Sequence, residues 1–179
     1  MWHKALALLA CGLCVGCQVT PTAIDLTYQP YHASNHQAVI ERAEGRSCKW
    51  ALTSYQDVRH SPDLGVVAFS KVESEVNRWV LQALAYHNIV PYKSVLPVTI
   101  DVVLKKAYIQ SLSTSMSVNI VLGIKVGAGQ TSDWRYFRGH EVDLNWNSGE
   151  KEIQAVFNKA LTKVITKIRL SNQKGCQIT

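Results

Sequence analysis

No apolar run in this 179-residue chain reaches the roughly 20 residues that a membrane-spanning helix needs. The uncharged stretch Ala5 to Val15 stops well short of that. There is no glycine-rich phosphate loop: Gly127-Ala128-Gly129 lies between strand-like runs rather than opening a helix, and reads as a hairpin turn. No Gly-x-Ser-x-Gly is present. The histidines (His3, His32, His36, His60, His87 and His140) do not gather with acids at zinc-ligand spacing. His32 and His36 are four apart, but Pro30 and polar neighbours argue against a helix there. Neither a metal, a cofactor nor a catalytic residue is expected. No internal repeat appears and nothing marks a second domain.

What is present is a chain long enough for one domain with its own core. It is 47% hydrophobic and 18% charged, which is globular rather than disordered. The net charge is +6. Removing residues 1–16 takes away only Lys4 and leaves 18 basic against 13 acidic residues, a net of +5. A balance so modest permits an anionic partner and demands none; the favoured reading is a solvated basic surface.

The N-terminus has the plan of an export signal. Met1-Trp2-His3-Lys4 carries one firm positive charge, Ala5 to Val15 is the apolar region, and small residues precede Cys17. Cys14-Val15-Gly16-Cys17 resembles the lipobox of bacterial lipoproteins, with Cys14 departing from the usual leucine. Leu8-Leu9-Ala10-Cys11 fits the letters better but leaves an apolar region of only Ala5 to Ala10, below the usual length of about 7–15 residues. Length therefore favours Cys17 over Cys11. The resemblance implies acylation at Cys17, and two or three acyl chains anchor stably where one does not. Gln18 follows rather than Asp, which by the same resemblance favours the outer membrane. In an exported chain Cys48 and Cys176 form a natural disulfide, stabilising by roughly 4–5 kcal/mol in the chain-entropy model.

The expected organisation is a signal peptide over 1–16, a lipidated tether over 17–47, and a single domain over 48–179. Within the tether Thr22 to Tyr28 alternates and could be a short strand. Cys48 to Tyr55 reads as a strand, followed by a charged, turn-rich loop to Gly65. Ser70 to Asn88 reads as a helix opened by a capping box, Ser70 with Glu73. Its stripe is Val72, Val76, Trp79, Val80, Ala83, Leu84 and His87, and Pro91 prevents continuation. Three alternating runs follow. They hold Val98 to Leu104, Met116 to Val126, and Trp134, Tyr136, Val142, Leu144 and Trp146. The last helix spans Gly149 to Leu170 with Ile153, Val156, Phe157, Ala160, Leu161, Val164, Ile165 and Ile168 inward. The fold expected is α+β: an antiparallel sheet of about four strands with two amphipathic helices on one face, in the order β-α-β-β-β-α.

Asp57, Arg59 and Gly65, the helix after them, the long alternating pair and the terminal helix together resemble the YajG family of bacterial lipoproteins. The family's architecture is similar to that of auxiliary lipoproteins of lipid-moving transporters and of the lipopolysaccharide-assembly lipoprotein. The resemblance implies a non-enzymatic accessory subunit of an envelope complex, with membrane lipid and an envelope protein as partners. A lipid- or glycan-binding module is the alternative, requiring an open apolar groove or exposed tryptophans. A hydrolase with an unrecognised site ranks third. Nucleic acid is not expected as a partner of an exported chain.

Three groups are candidate sites. Asp57, Arg59, His60, Asp63 and Gly65 form either a docking loop or an ion pair that fixes the turn, the second being favoured. Lys159, Lys163 and Lys167 line one helix face, either for anionic lipid or glycan or, as favoured, simply solvated. Trp134, Tyr136 and Trp146 would make an aromatic platform if exposed, but share parity with Val142 and Leu144 and are assigned to the core.

Overall fold

The structure, a computed structural model, describes residues 22–31, 49–67, 70–91, 98–112, 114–127, 133–144 and 149–172. The elements are β1 (Thr22–Ala23), β2 (Trp50–Asp57), β3 (Asp63–Val67), β4 (Ser70–Glu73), α1 (Val76–Tyr86), β5 (Ile89–Pro91), β6 (Val98–Ser111), β7 (Ser115–Val126), β8 (Arg135–Leu144) and α2 (Glu150–Ser171).

All eight strands form one sheet built around β6. On one side β6 pairs antiparallel with β7, and β7 with β8. On its other side β2 runs parallel to its first half and β3 parallel to its end, where Gly65 meets Ile109. β5 pairs with β2, β4 with β3, and β1 with β4. The expectation of about four antiparallel strands is thus corrected to eight strands of mixed direction. β3, β4 and β5 have three to five residues each, too few for alternation to reveal them. The parallel β2–β6 pair requires a crossover, and α1 lies on it.

Both helices place their apolar stripes in the core. Trp79 and Phe157 meet edge to face at 5.8 Å, and both are fully buried. The stripe from Val76 onward matches the periodic reading, but the start of α1 does not. Ser70 and Glu73 lie in β4 rather than forming a cap, and Glu75 is the N-cap residue. Glu73 is held by the ladder, opposite both Asp63 and Ala23. A glutamate clasp of this kind occurs instead on α2, where the Gly149 amide donates to Glu152 at 2.7 Å. α1 stops at Tyr86, and Asn88 adopts a left-handed φ of 59°. Pro91 sits in the edge strand β5, where a missing N–H is tolerated.

Residues 22–31 are packed chain. Ile24, Leu26 and Tyr28 are buried while Asp25 and Thr27 face outward. Polar groups on both helices pin this segment. Asn158 donates to the Thr27 carbonyl at 3.1 Å and accepts from the Trp79 indole at 2.7 Å. The Tyr28 hydroxyl lies 2.9 Å from both His87 Nε2 and Thr162 Oγ1. Buried polar groups satisfied in this way fix one arrangement where an apolar contact would allow several.

Candidate functional site

The loop after β2 is turned in on itself. Arg59 donates to both oxygens of Asp57, with its Nη2 2.8 Å from Oδ2, and to the Pro62 carbonyl at 3.3 Å. The Arg59 amide donates to the same carboxylate at 3.1 Å. Burial pushes the Asp57 carboxyl upward, but the hydrogen bonds and charge of Arg59 outweigh it and hold the pKa below the usual carboxylate range. The pair secures the chain as it leaves β6 at Val58 and returns as β3. Gly65, at a φ of 106°, lies so close to the Ile109 carbonyl that a side chain would strike it. His60 is exposed and Asp63 half-buried, and neither hydrogen-bonds to the Asp57–Arg59 pair. Asp57, Arg59 and Gly65 thus hold the loop in its shape, with His60 at its surface. Replacing Arg59 by Met should cost about 1–2 kcal/mol, because Asp57 keeps its desolvation and loses its partner. Equilibrium unfolding in denaturant measures this; a variant as stable as wild type would show the pair to be dispensable.

The lysines of α2 serve β8. Lys159 pairs with Asp143 at 2.8 Å, and Lys163 pairs with Glu141. The hydrogen bond from Lys159 is the main reason the Asp143 pKa is lowered. Lys167 donates to the Arg138 carbonyl at 2.8 Å, and Lys163 reaches the His140 carbonyl at 3.5 Å. Carbonyls of this kind are what an edge strand leaves without ladder partners, and lysine is a common way of covering them. The expected solvated or anion-facing basic face is corrected accordingly: all three ammonium groups are engaged within the fold.

This arrangement inverts the expected parity of β8. Phe137, Gly139, Glu141 and Asp143 face α2, while Tyr136, Val142 and Leu144 stand outward, each about half exposed. Trp134 is 40% exposed just before the strand. Acidic residues can face a helix here because that helix presents lysines.

The outer face of β6, β7 and β8 thus joins apolar and polar groups. Arg138 donates through Nε to Asn119 at 2.8 Å, and also through Nη2. The Ser117 hydroxyl lies 3.0 Å from His140 Nε2, and Asn119 reaches the same hydroxyl at 3.5 Å. Tyr108 stands opposite Asn119, and Asn119 opposite His140. The Tyr136 ring covers Gly123: a Cβ there would lie 2.7 Å from both the ring and Val103. A Ser–His contact invites comparison with a nucleophile and its base. Among the described residues, no carboxylate hydrogen-bonds the histidine ring as the third member of such a constellation would. The face presents an exposed tyrosine ring, a guanidinium, an imidazole and an amide side by side on the sheet.

The alternation of Met116 to Val126 leaves Ser117 and Asn119 on the polar side of β7, but no local pattern connects them with Arg138 and His140. Only the β7–β8 register, Ser117 to Val142 and Val121 to Arg138, brings the four together. Cys11, Cys17, Cys48, Cys176, His32, His36 and Trp146 lie outside the described residues. Among the described residues no three His, Cys, Asp or Glu side chains converge as metal ligands, and no helix is long and apolar enough to cross a membrane.

No family model and no curated protein matches the chain. Among solved structures, a Xanthomonas campestris protein of the DUF330 family aligns at 11% identity with a TM-score of 0.49, over 87% of this chain and 99% of its own. A candidate lipoprotein of Caulobacter crescentus aligns at 10% identity with a TM-score of 0.41, over 80% and 99%. The dodecameric PelC of Paraburkholderia phytofirmans aligns at 8% identity with a TM-score of 0.35, over 66% and 87%. Likeness this distant says nothing about what the proteins bind or do.

Proposed function

We propose that this protein is a non-enzymatic envelope lipoprotein, anchored by lipid on Cys17, that serves as an accessory subunit of an outer-membrane assembly facing the periplasm. It docks to a protein partner through the outer face of β6, β7 and β8. The observation that carries this reading is that face: Tyr136 and Tyr108 exposed beside the Arg138–Asn119 and Ser117–His140 contacts. Aromatic and arginine side chains are the types enriched where protein partners meet. The Ala5–Val15 region ending at Gly16-Cys17, and the resemblance of the body to the YajG family, support the address. Anchoring works by confinement, since a tethered domain meets a partner in the same membrane at a raised effective concentration.

A glycan-binding module is the second reading, favoured by the Tyr136 ring lying over Gly123 and by the exposure of Trp134. An acyl-chain groove between helices and sheet receives no support, because the facing side chains of both helices are buried in the core.

The test is affinity purification of the full-length protein from gently solubilised envelopes, with mass spectrometry of what is retained. Wild type should retain a protein in fixed proportion, and Tyr136→Asp and Arg138→Glu should lose it while remaining folded. Cys17→Ser should leave the membrane fraction. Equal retention by wild type and both face variants would overturn the docking face. A clean protein bearing only glycan would favour the second reading.

A further inference from the structure

We propose that the rim of the sheet at Val66, Val142, Leu144 and Leu112 rests on the phospholipid surface to which the protein is anchored. The inference deepens the reading above and rests on acylation at Cys17. Lys71, Val66, Gln110, Ser117 and Val142 form one row across β4, β3, β6, β7 and β8. Beyond that row Ser115 stands opposite Leu144, and the Leu112 amide donates to Ser115 at 2.7 Å. Val66, Leu112, Val142 and Leu144 are 48, 55, 51 and 56% exposed. A single exposed leucine or valine is ordinary. Here four of them mark the same end of one sheet.

The chain enters the fold at that end. Thr22 pairs with Val72, one residue from the Lys71 row, and β1 runs parallel to β4. Followed backwards from Thr22, the strand direction therefore points past the rim rather than toward the opposite end. Five peptide steps separate Cys17 from Thr22, and they span at most roughly 18 Å. The domain is longer than that: the 22-residue α2 alone extends about 33 Å. Glu150 at its first turn hydrogen-bonds the Asp25 amide, so the start of the helix is at the anchored end and Leu170 is far from it. So short a link leaves the domain little choice of which end meets the lipid. The charges nearby are of both signs, Lys71 and Arg78 with Glu73 and Asp25, and Arg78 is paired with Asp25. The contact is therefore apolar, with side chains dipping into the boundary between headgroups and acyl chains.

The acylated full-length protein is reconstituted into phosphatidylethanolamine vesicles whose acyl chains carry bromine, which quenches indole emission at short range. Leu144→Trp and Leu170→Trp are compared with wild type. The indole added at position 144 should lose roughly half or more of its emission, as expected for a side chain at the acyl boundary, and the one at 170 should lose little. If the protein is acylated and vesicle-bound but neither added indole is quenched, the rim is not at the lipid, and the anchor stands. Equal quenching at both positions would mean the domain lies on its side, which also overturns the proposal. An unmodified Cys17 by mass, with protein that does not bind vesicles, would overturn the anchor and the proposal together.

Discussion

Gly139→Ala should destabilise the protein by about 3 kcal/mol or more, the upper range for overpacking a filled interior. Gly139 lies in the middle of β8 opposite Ile120, directly beneath α2. A Cβ there would fall well inside the contact distance of the Ala160 carbonyl oxygen and 3.1 Å from the Val164 Cβ. The nearest obstacles are backbone atoms of a helix and cannot rotate aside. α2 would have to lift, loosening Phe157, Leu161 and Ile165, all fully buried. Gly127→Ala is the control: its φ is 97°, but a Cβ there meets nothing within 4 Å, so only backbone strain of about 1–2 kcal/mol applies. Urea unfolding should show a lower midpoint with unchanged slope. A Gly139→Ala protein as stable as wild type would mean that helix and strand do not approach this closely.

Acid should weaken the fold through His87. Burial, and then the nearby positive charge of Arg169, lower its pKa to about 4. The unfolded chain would titrate near 6.5. A group with a depressed cationic pKa leaves stability intact above its unfolded value and removes it as pH falls from about 6.5 toward 4. The full loss is about 3 kcal/mol. In one arrangement Tyr28 donates to neutral Nε2 and accepts from Thr162, and protonation of the ring would force that chain of hydroxyls to reorient. His87→Gln should be less stable than wild type at pH 7.5 yet lose less on acidification to pH 4.5. Parallel losses in the two proteins would assign the acid sensitivity elsewhere. The Asp57 and Asp143 carboxyls act in a lower window, since their depressed pKa values withdraw stability only as pH falls below the usual carboxylate range.

The parts of the fold that sequence makes legible are those where one periodicity governs many residues. α2 begins and ends one residue from the span read as Gly149 to Leu170, and β7 buries Met116, Val118, Ile120, Leu122 and Ile124 as the alternation predicts. Short elements are illegible for the opposite reason. Ser70 and Glu73 carry a helix-start signature, but a ladder on both sides of β4 outweighs a cap worth about 1 kcal/mol. β8 misleads because inward parity normally means apolar, and only the lysines of α2 make Glu141 and Asp143 acceptable inside. The outer-face cluster was invisible for a further reason. Ser117 and His140 are 23 residues apart, and their meeting depends on a register that no local pattern encodes.

The way the leading segment is held has a mechanical consequence. With Cys17 acylated as proposed, any pull between membrane and domain would enter through Thr22 and travel along a strand lying parallel to β4, so it would shear that pairing rather than peel it. The tension next meets the Ile24 amide on Glu73, the Asn158 clasp on Thr27 and the buried Tyr28 hydroxyl. These contacts reach both helices and the sheet at once. Tension on such an anchor would therefore be shared across the whole core, and the domain would part from a membrane by drawing out lipid before its leading segment slipped.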